Sequence, residues 1–213
     1  MNENPLQAYA ERHTSPESGI LAQLNRETHL SQVHPQMLSG HLQGTLLRMI
    51  SRMICPQRIL EIGTFTGYSA INLAMGLDDD PPGFLHTIEV NQEQEEMIRH
   101  YILESGMEKK IILHIGNALD IIPVLDETWD LVYLDADKPN YLNYYNMVFS
   151  RLRTGGFLLA DNALWDGKVL KERKRLDKET LGIVEFNEFV QNDPKVENMI
   201  LPFRDGIMVI RKL

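Results

Sequence analysis

The chain has 213 residues, of which 43% are hydrophobic and 24% charged, a composition typical of one globular domain with a sizeable core, here residues 1–213. Its formal net charge of −9 disfavours nucleic acid as a partner, and no stretch is apolar enough to cross a bilayer. A single cysteine, Cys55, excludes an internal disulfide, and the N-terminus has no apolar leader, so we expect a cytoplasmic protein without a membrane partner.

The N-terminal part of the sequence predicts helices. Ser15-Pro16 has the pattern of an N-cap followed by proline at the first helical position, which predicts a helix to about Thr28. Between residues 37 and 54, apolar side chains recur at helical spacing and predict one apolar helix face, formed by Leu38, Leu42, Leu46, Met49, Ile50 and Met53. We interpret residues 1–36 as a helical arm.

After this arm, strands and helices are predicted to alternate. The strands are expected at about residues 58–63, 84–90, 111–116, 130–136 and 157–161. Gly106 fits the C′ position of one connecting helix, and Gly155-Gly156 is expected to separate another helix from the fifth strand. Nearly continuous apolar strands that alternate with helices indicate a parallel sheet covered on both faces.

The C-terminus departs from this alternation. Two strand-like runs, Asn198–Phe203 and Ile207–Lys212, flank Arg204-Asp205-Gly206, and Asp-Gly is a strong hairpin signal. We therefore expect an α/β fold with a mostly parallel sheet that finishes in an antiparallel hairpin. A dinucleotide-binding fold would carry a second nucleotide-binding half instead.

The segment Arg58–Leu77 predicts a ligand at the end of the first strand. The strand ends in Glu61-Ile62-Gly63, and a loop of small residues leads into a helix. Gly63 permits a sharp turn, Gly67 permits close approach, and free amides at the helix start attract polar or anionic groups. A nucleotide-like ligand is the leading interpretation. Tight packing of a helix on a strand would give the same spacing, which is not the dinucleotide pattern G-x-G-x-x-G.

Oxygen-bearing side chains follow all five predicted parallel strands, at the edge where open α/β sheets bind ligands. They are Glu61, Glu89, Asn117, Asp135 with Asp137, and Asp161 with Asn162. Glu89 lies 26 residues after Gly63 and can accept both hydroxyls of a ribose, which indicates an adenosine-containing cofactor. Asp135, Asp161 and Asn162 offer hard oxygen ligands, which suit Mg²⁺, Mn²⁺ or Ca²⁺.

Three segments carry a family resemblance: Glu61–Ser69 (EIGTFTGYS), Leu134–Tyr141 (LDADKPNY) and Asp161–Trp165 (DNALW). They resemble the signature segments of the cation-dependent O-methyltransferases, the group that contains catechol and caffeoyl-coenzyme A O-methyltransferases. The resemblance runs from about Met37 to the end of the chain. It implies the seven-stranded, Rossmann-like S-adenosylmethionine methyltransferase sheet with its last strand antiparallel, and it implies a homodimer.

The resemblance also implies roles for single residues. The implied cofactor contacts are Ser39 near the carboxylate end, Glu61, Gly63, Thr64 and Ser69 around the methionine moiety, Glu89 at the ribose, Ala118 near the adenine, and Asp135. The implied metal ligands are Asp135, Asp161 and Asn162. Lys138 matches the general base of the family.

The expected reaction moves the methyl group of S-adenosylmethionine to a hydroxyl of a small phenolic acceptor with two adjacent hydroxyls, because a divalent cation can chelate both and lower a hydroxyl pKa. The segment before residue 37 and the loop from 163 to 180 differ from the plant members, so the acceptor is the least defined part. Methylation of a modified wobble uridine in transfer RNA is the alternative within the broader family. An NAD-dependent oxidoreductase and an inactive nucleotide-binding module are the alternatives outside it.

Overall fold

The computed structural model of the protein describes residues 5–213. Its sheet has seven strands in the order β3-β2-β1-β4-β5-β7-β6. Strands β1 to β5 run parallel, and β7 is antiparallel to both β5 and β6, which confirms the predicted fold class. The strands are β1 Arg58–Ile62, β2 Phe84–Glu89, β3 Ile111–Ile115, β4 Trp129–Leu134, β5 Leu152–Ala160, β6 Val196–Leu201 and β7 Ile207–Lys212.

Helices surround this sheet. They are α1 Pro5–Arg12, α2 Gly19–Ser31, α3 Gly40–Ile54, α4 Tyr68–Ala74, α5 Glu95–Glu104, α6 Ala118–Ile121, α7 Tyr141–Phe149 and α8 Lys178–Asn192. Gly106 ends α5 as predicted, with a φ of 71° and its N–H donating to the carbonyl of Leu103. Among residues 5–213, no helix is long and apolar enough to cross a membrane. The first four residues of the predicted arm lie outside the described residues.

The apolar core lies on both faces of the sheet because side chains alternate along each strand. On one face, Leu131 and Tyr133 of β4 belong to a core shared with α2, α3, α4 and α5. On the other face, Val132 and Leu134 belong to a core shared with α7 and α8. Since helices cover both faces, ligands reach the sheet at the carboxyl ends of its parallel strands.

The helix predicted from Ser15 begins later. Ser18 is the N-cap of α2, and its Oγ accepts from the N–H of Leu21 at 3.5 Å. The preceding segment makes tertiary contacts instead. His41 bonds to the carbonyl oxygen of Ser15, and the hydroxyl of Tyr68 donates to the carboxylate of Glu17. These contacts outweigh the local preference for a helix.

The predicted apolar face of α3 is wrong for its two methionines, whereas Leu38 is buried and Leu46 and Ile50 pack against the core. Met49 is 55% and Met53 72% exposed, whereas Gly44 and Ser51 are buried. A Cβ on Gly44 would lie 2.6 Å from Asn72 and Tyr68, so α3 approaches α4 through small residues. Close approach of two helices therefore helps to decide which face of α3 is buried, and the two methionines lie outside that face.

The prediction that Gly155-Gly156 precedes the fifth strand is also wrong. Both glycines lie inside β5, which begins at Leu152. Gly155 has a φ of 75°, and the pairing of β4 with β5 shifts register between Trp129 and Leu131. The glycines thus form an irregularity that lengthens the strand, as expected where a strand bulges.

Two histidines share a hydrogen bond on neighbouring strands. His86 Nδ1 lies 3.0 Å from His114 Nε2, so one nitrogen donates and the other accepts. Burial lowers the pKa of both side chains, and for His86 the proximity of His114 lowers it further. Glu127, 4.0 Å from His86 Nε2, acts in the opposite direction on the pKa of His86. The pair is thus held in its neutral form.

We expect this pair to make the fold less stable in mild acid. An unfolded histidine has a pKa of about 6.5, so below that pH the unfolded chain takes up protons before the folded chain does. The stability is present above about pH 6.5 and is lost as the pH falls through the lowered pKa values. Urea unfolding between pH 7.5 and 5.5 should show a smaller loss for the double variant His86→Gln/His114→Gln than for the wild type. His100→Gln, at an exposed position of α5, is the control, and equal losses in all three proteins would contradict the assignment.

Candidate active site

A cavity of about 1060 Å³ lies at the carboxyl ends of the parallel strands. Every residue of the predicted site lines it except Glu61. The predicted residues in its lining are Ser39, Gly63, Thr64, Ser69, Glu89, Ala118, Asp135, Lys138, Asp161 and Asn162. The fold thus brings together side chains from five strand ends and from the start of α3.

Gly63 is placed where only glycine fits. Its φ is 99°, and a Cβ there would lie 2.0 Å from the carbonyl oxygen of Asp135. Its N–H donates to the carbonyl of Ile88 at 3.0 Å. The loop after β1 is therefore tied to β2 and packed against the loop after β4, which brings the predicted cofactor contacts beside Asp135.

Glu89 is held by two backbone donors at the end of β2. The N–H of Phe65 donates to Oε2 at 2.7 Å, and the N–H of Asn91 donates to Oε1 at 2.8 Å. A carboxylate has about four acceptor sites, so each oxygen can still accept a hydroxyl. The carboxylate is thus fixed in position with acceptor sites left for two donors of a ligand.

Glu61 lies behind the wall of the cavity. Its side chain is fully buried, and Oε2 accepts from the hydroxyl of Thr87 at 2.5 Å, whereas Oε1 has no hydrogen-bond partner of good geometry among residues 5–213. Burial raises the pKa of Glu61 to about 8, and the charges of Asp135 and Glu89 add to the rise. Hydrogen bonding to Ser69 and Thr87 lowers the pKa of this carboxyl in part. An ionised carboxylate with an unpaired oxygen is costly in the interior, which favours the protonated form of Glu61.

The three predicted metal ligands lie at one side of the cavity. Asp161 Oδ2 accepts from Gln43 at 2.6 Å and from the Tyr133 hydroxyl at 3.1 Å, while within the described part of the chain Oδ1 accepts only from the N–H of Asn162. Burial and, to a smaller extent, the nearby charge of Asp135 raise the pKa of Asp161 to about 6. A cation would relieve this repulsion, and two carboxylates with an amide oxygen match the ligand preference of Mg²⁺ or Mn²⁺. The residues present fit such an ion.

Lys138 is buried at the edge of the same group, 6% exposed. Its Nζ donates to Asp135 Oδ1 at 3.0 Å and to the hydroxyl of Tyr141 at 2.7 Å. Gly182 of α8 packs on the backbone of Lys138, since a Cβ there would lie 2.5 Å from its carbonyl oxygen. The position of this nitrogen is therefore set by one carboxylate, one phenol and a helix.

Trp165 forms part of the cavity wall near Lys138. Nζ of Lys138 lies 5.6 Å from the centre of the Trp165 ring, and Nζ of Lys168 lies 5.2 Å from it. Both distances are within the range of cation–π contacts. The cavity thus has an aromatic surface next to its buried lysine.

Comparison with known proteins shows which family the chain belongs to. The model of an O-methyltransferase family matches residues 11–213. The chain belongs to this O-methyltransferase family. Caffeoyl-CoA O-methyltransferase 2 of Populus trichocarpa is 32% identical over 200 residues, which cover 86% of this chain and 79% of the relative.

Solved structures agree with this assignment. The O-methyltransferase TomG of Streptomyces achromogenes, involved in tomaymycin synthesis and solved in complex with SAM, has a TM-score of 0.91 at 29% identity, over 98% of this chain and 96% of its own. An O-methyltransferase of Bacillus cereus in complex with SAH has a TM-score of 0.89 at 26% identity, over 97% of each chain. The protein is a class I O-methyltransferase that uses S-adenosylmethionine, so the oxidoreductase alternative is wrong.

Sequence reasoning missed three side chains of this methyltransferase site. Gln43, Arg204 and Asp205 all line the cavity. Gln43 was not part of the predicted apolar face of α3, and it is only 1% exposed. Arg204 and Asp205 were interpreted only as turn residues. The signal for a buried Gln43 was its neighbour Gly44, because a small residue in a helix allows another helix to pack closely against it.

The buried carboxyl of Glu61 should make the cofactor-free methyltransferase less stable at alkaline pH. Its pKa rises from an ordinary value of 4.5 to about 8 on folding, so the folded state keeps a proton that the unfolded state releases. The stability is complete below pH 4.5 and is lost as the pH rises through 8. Urea unfolding at pH 5.5 and 8.5 should show that Glu61→Gln loses less stability than the wild type, by on the order of a few kcal/mol. The same loss in both proteins would show that Glu61 is already ionised in the fold.

Proposed function

We propose that this methyltransferase depends on a divalent cation and methylates one hydroxyl of a small aromatic acceptor that carries two adjacent hydroxyls. The observation that carries the proposal is the convergence of Asp135, Asp161 and Asn162 beside the buried Nζ of Lys138. A cofactor cavity alone would fit any methyltransferase. Oxygen ligands for a cation beside a lysine fit one that methylates a hydroxyl, because the hydroxyl has to lose its proton.

Asp135, Asp161 and Asn162 would hold the cation. When bound, a divalent cation supplies Lewis acidity that lowers the pKa of an acceptor hydroxyl. Asp161 would offer Oδ1, because Oδ2 already accepts from Gln43 and Tyr133. Asn162 would offer its amide oxygen, because its amide nitrogen donates to Asp205 at 3.2 Å. Two adjacent acceptor oxygens suit such a site better than one.

Lys138 is proposed as the general base. The reaction forms an oxygen–carbon bond, breaks the bond between sulfur and the methyl group of S-adenosylmethionine, and releases the proton of the acceptor hydroxyl. Nζ of Lys138 takes up this proton in its amine form. Asp135 and Tyr141 hold that nitrogen in place, and the carboxylate of Asp135 stabilises the resulting ammonium.

The remaining predicted contacts belong to the cofactor. We propose that Ser39, Gly63, Thr64, Ser69 and Asp135 surround the methionine moiety, with Glu89 at the ribose and Ala118 near the adenine. Their common place in the lining of one cavity supports this assignment. Glu61 does not reach the cavity lining. It would therefore affect the cofactor only indirectly, through the residues between it and the cavity.

A small acceptor is supported over transfer RNA by the ion pairs of the segment Lys168–Lys178. Arg173 pairs with Glu185 and Glu188, and Lys174 pairs with Glu172. These pairs neutralise part of the most basic segment of a chain whose net charge is −9. The homodimer implied by the family resemblance stays a prediction.

The proposed function is tested by an acceptor panel with and without a chelator. Catechol should be methylated in the presence of Mg²⁺ or Mn²⁺, its turnover should vanish in excess chelator, and it should return when the metal is restored. Guaiacol, with a single free hydroxyl, should react poorly. Full turnover in excess chelator would exclude the cation, and methylation of transfer RNA without that of any catechol would exclude the small acceptor.

Replacing Glu89 tests the ribose contact. Glu89→Gln should weaken binding of S-adenosylmethionine by about 1.5 to 3 kcal/mol, the range for hydrogen bonds to a charged group. The amide nitrogen of the glutamine cannot accept, so it also leaves one of the two backbone donors without its partner. Calorimetry measures the affinity, and thermal unfolding of the cofactor-free protein separates the two effects. An unchanged dissociation constant would place the ribose elsewhere.

Replacing Lys138 tests the general base. Lys138→Ala should lower turnover by about 10² to 10⁴, the usual contribution of a positioned base, with little change in cofactor affinity. The variant should recover in part as the pH rises, because an acceptor that is already a phenolate needs no base. Lys171→Ala, at an exposed position, is the matched control. A Lys138 variant whose deficit does not change with pH would argue against proton transfer.

A further inference from the structure

The turn between β6 and β7 packs against the segment that carries two of the proposed metal ligands. The N–H of Ala163 donates to the carbonyl of Gly206, and the N–H of Leu164 donates to the carbonyl of Asp205, each at 2.9 Å. Gly206 has a φ of 82°, and a Cβ there would lie 2.5 Å from Leu164. The turn and the segment after β5 therefore form one closely packed unit.

Asp205 fixes the orientation of Asn162. The amide nitrogen of Asn162 donates to Asp205 Oδ2 at 3.2 Å, and the other carboxylate oxygen accepts from the N–H of Asp166. An ionised carboxylate only accepts hydrogen bonds, so it selects the amide orientation with nitrogen toward Asp205. Asn162 itself has a φ of 61°, in the left-handed region. Its amide oxygen is the atom left for a cation.

Gln43 plays the corresponding part for Asp161. Its Nε2 donates to Asp161 Oδ2 at 2.6 Å and to the Tyr133 hydroxyl at 2.9 Å, and its Oε1 accepts from Arg204 at 3.1 Å. Arg204 also donates to the carbonyl of Leu38, just before α3. Gln43 is thus oriented by the same turn that orients Asn162, and it leaves Asp161 Oδ1 with a free acceptor site.

We propose that Gln43 and Asp205 are positioning residues that orient Asp161 and Asn162 for the cation, with Arg204 holding Gln43 in register. The proposal rests on the proposed cation site. Neither residue needs to touch the ion or the acceptor. Residues that hydrogen-bond to metal ligands commonly contribute 10- to 100-fold to metal affinity, because they orient the ligands before the metal binds.

The test is a Mn²⁺ titration of the full chain with S-adenosylhomocysteine bound, followed by calorimetry or by electron paramagnetic resonance of free Mn²⁺. Gln43→Met keeps the length of the side chain and removes its donors, and Asp205→Asn removes one acceptor from the turn. Each should raise the Kd for Mn²⁺ by about 10- to 100-fold. Ser51→Ala is the matched control, because it removes a buried hydrogen bond of α3 to the Leu73 carbonyl, away from the cavity.

The outcomes separate the two proposals. Weaker Mn²⁺ binding in Gln43→Met and Asp205→Asn, with wild-type affinity in Ser51→Ala at a similar loss of thermal stability, supports positioning. Wild-type affinity in both site variants overturns it and leaves the cation site intact. A wild-type protein that does not bind Mn²⁺ overturns the cation site as well. If Gln43→Met does not fold, Asp205→Asn decides.

Discussion

The contact between Gly63 and the carbonyl oxygen of Asp135 is the constraint on which the site depends. A Cβ on residue 63 would lie 2.0 Å from this oxygen, so only glycine allows the two backbones to come this close. The loop after β1 lines the cavity, and the loop after β4 carries Asp135 and Lys138. Any side chain at position 63 would separate these loops, so they border one cavity only because this residue has no side chain.

The close approach of these loops brings buried carboxyl groups near one another, which disfavours their ionised forms. Glu61 and Asp161 are buried carboxyls whose pKa values are raised on folding, and each feels the charge of Asp135. In the folded protein without ligands, this arrangement opposes stability at neutral and alkaline pH. Buried carboxyls of this kind are common where ligands or cations complete the charge balance. The packing of the two apolar cores on the sheet compensates for this loss of stability.

The sequence was sufficient for what depends on local pattern. Strand periodicity, the glycines and the Asp205-Gly206 turn predicted the sheet and its antiparallel end. The polar residues predicted at the strand ends all line the cavity except Glu61. The errors arose where tertiary contacts outweigh local preference. Gly44 and Ser51 help to decide the buried face of α3 by letting α4 approach, which no apolar periodicity can reveal. Glu61 has the right residue type at a strand end, but alternation along β1 buries its side chain behind the wall.

Gly182 leaves no room for a side chain beside the backbone of Lys138. Its place against the backbone of Lys138 ties the proposed base to α8, so substitutions there would displace the base itself. The segment Trp165–Leu170, by contrast, has no buried residue, is kinked at Asp166 and Gly167, and borders the cavity at Lys168. Laboratory evolution toward new acceptors should therefore vary Lys168 and keep Gly182 and Trp165 constant, because both of these lie against the proposed base.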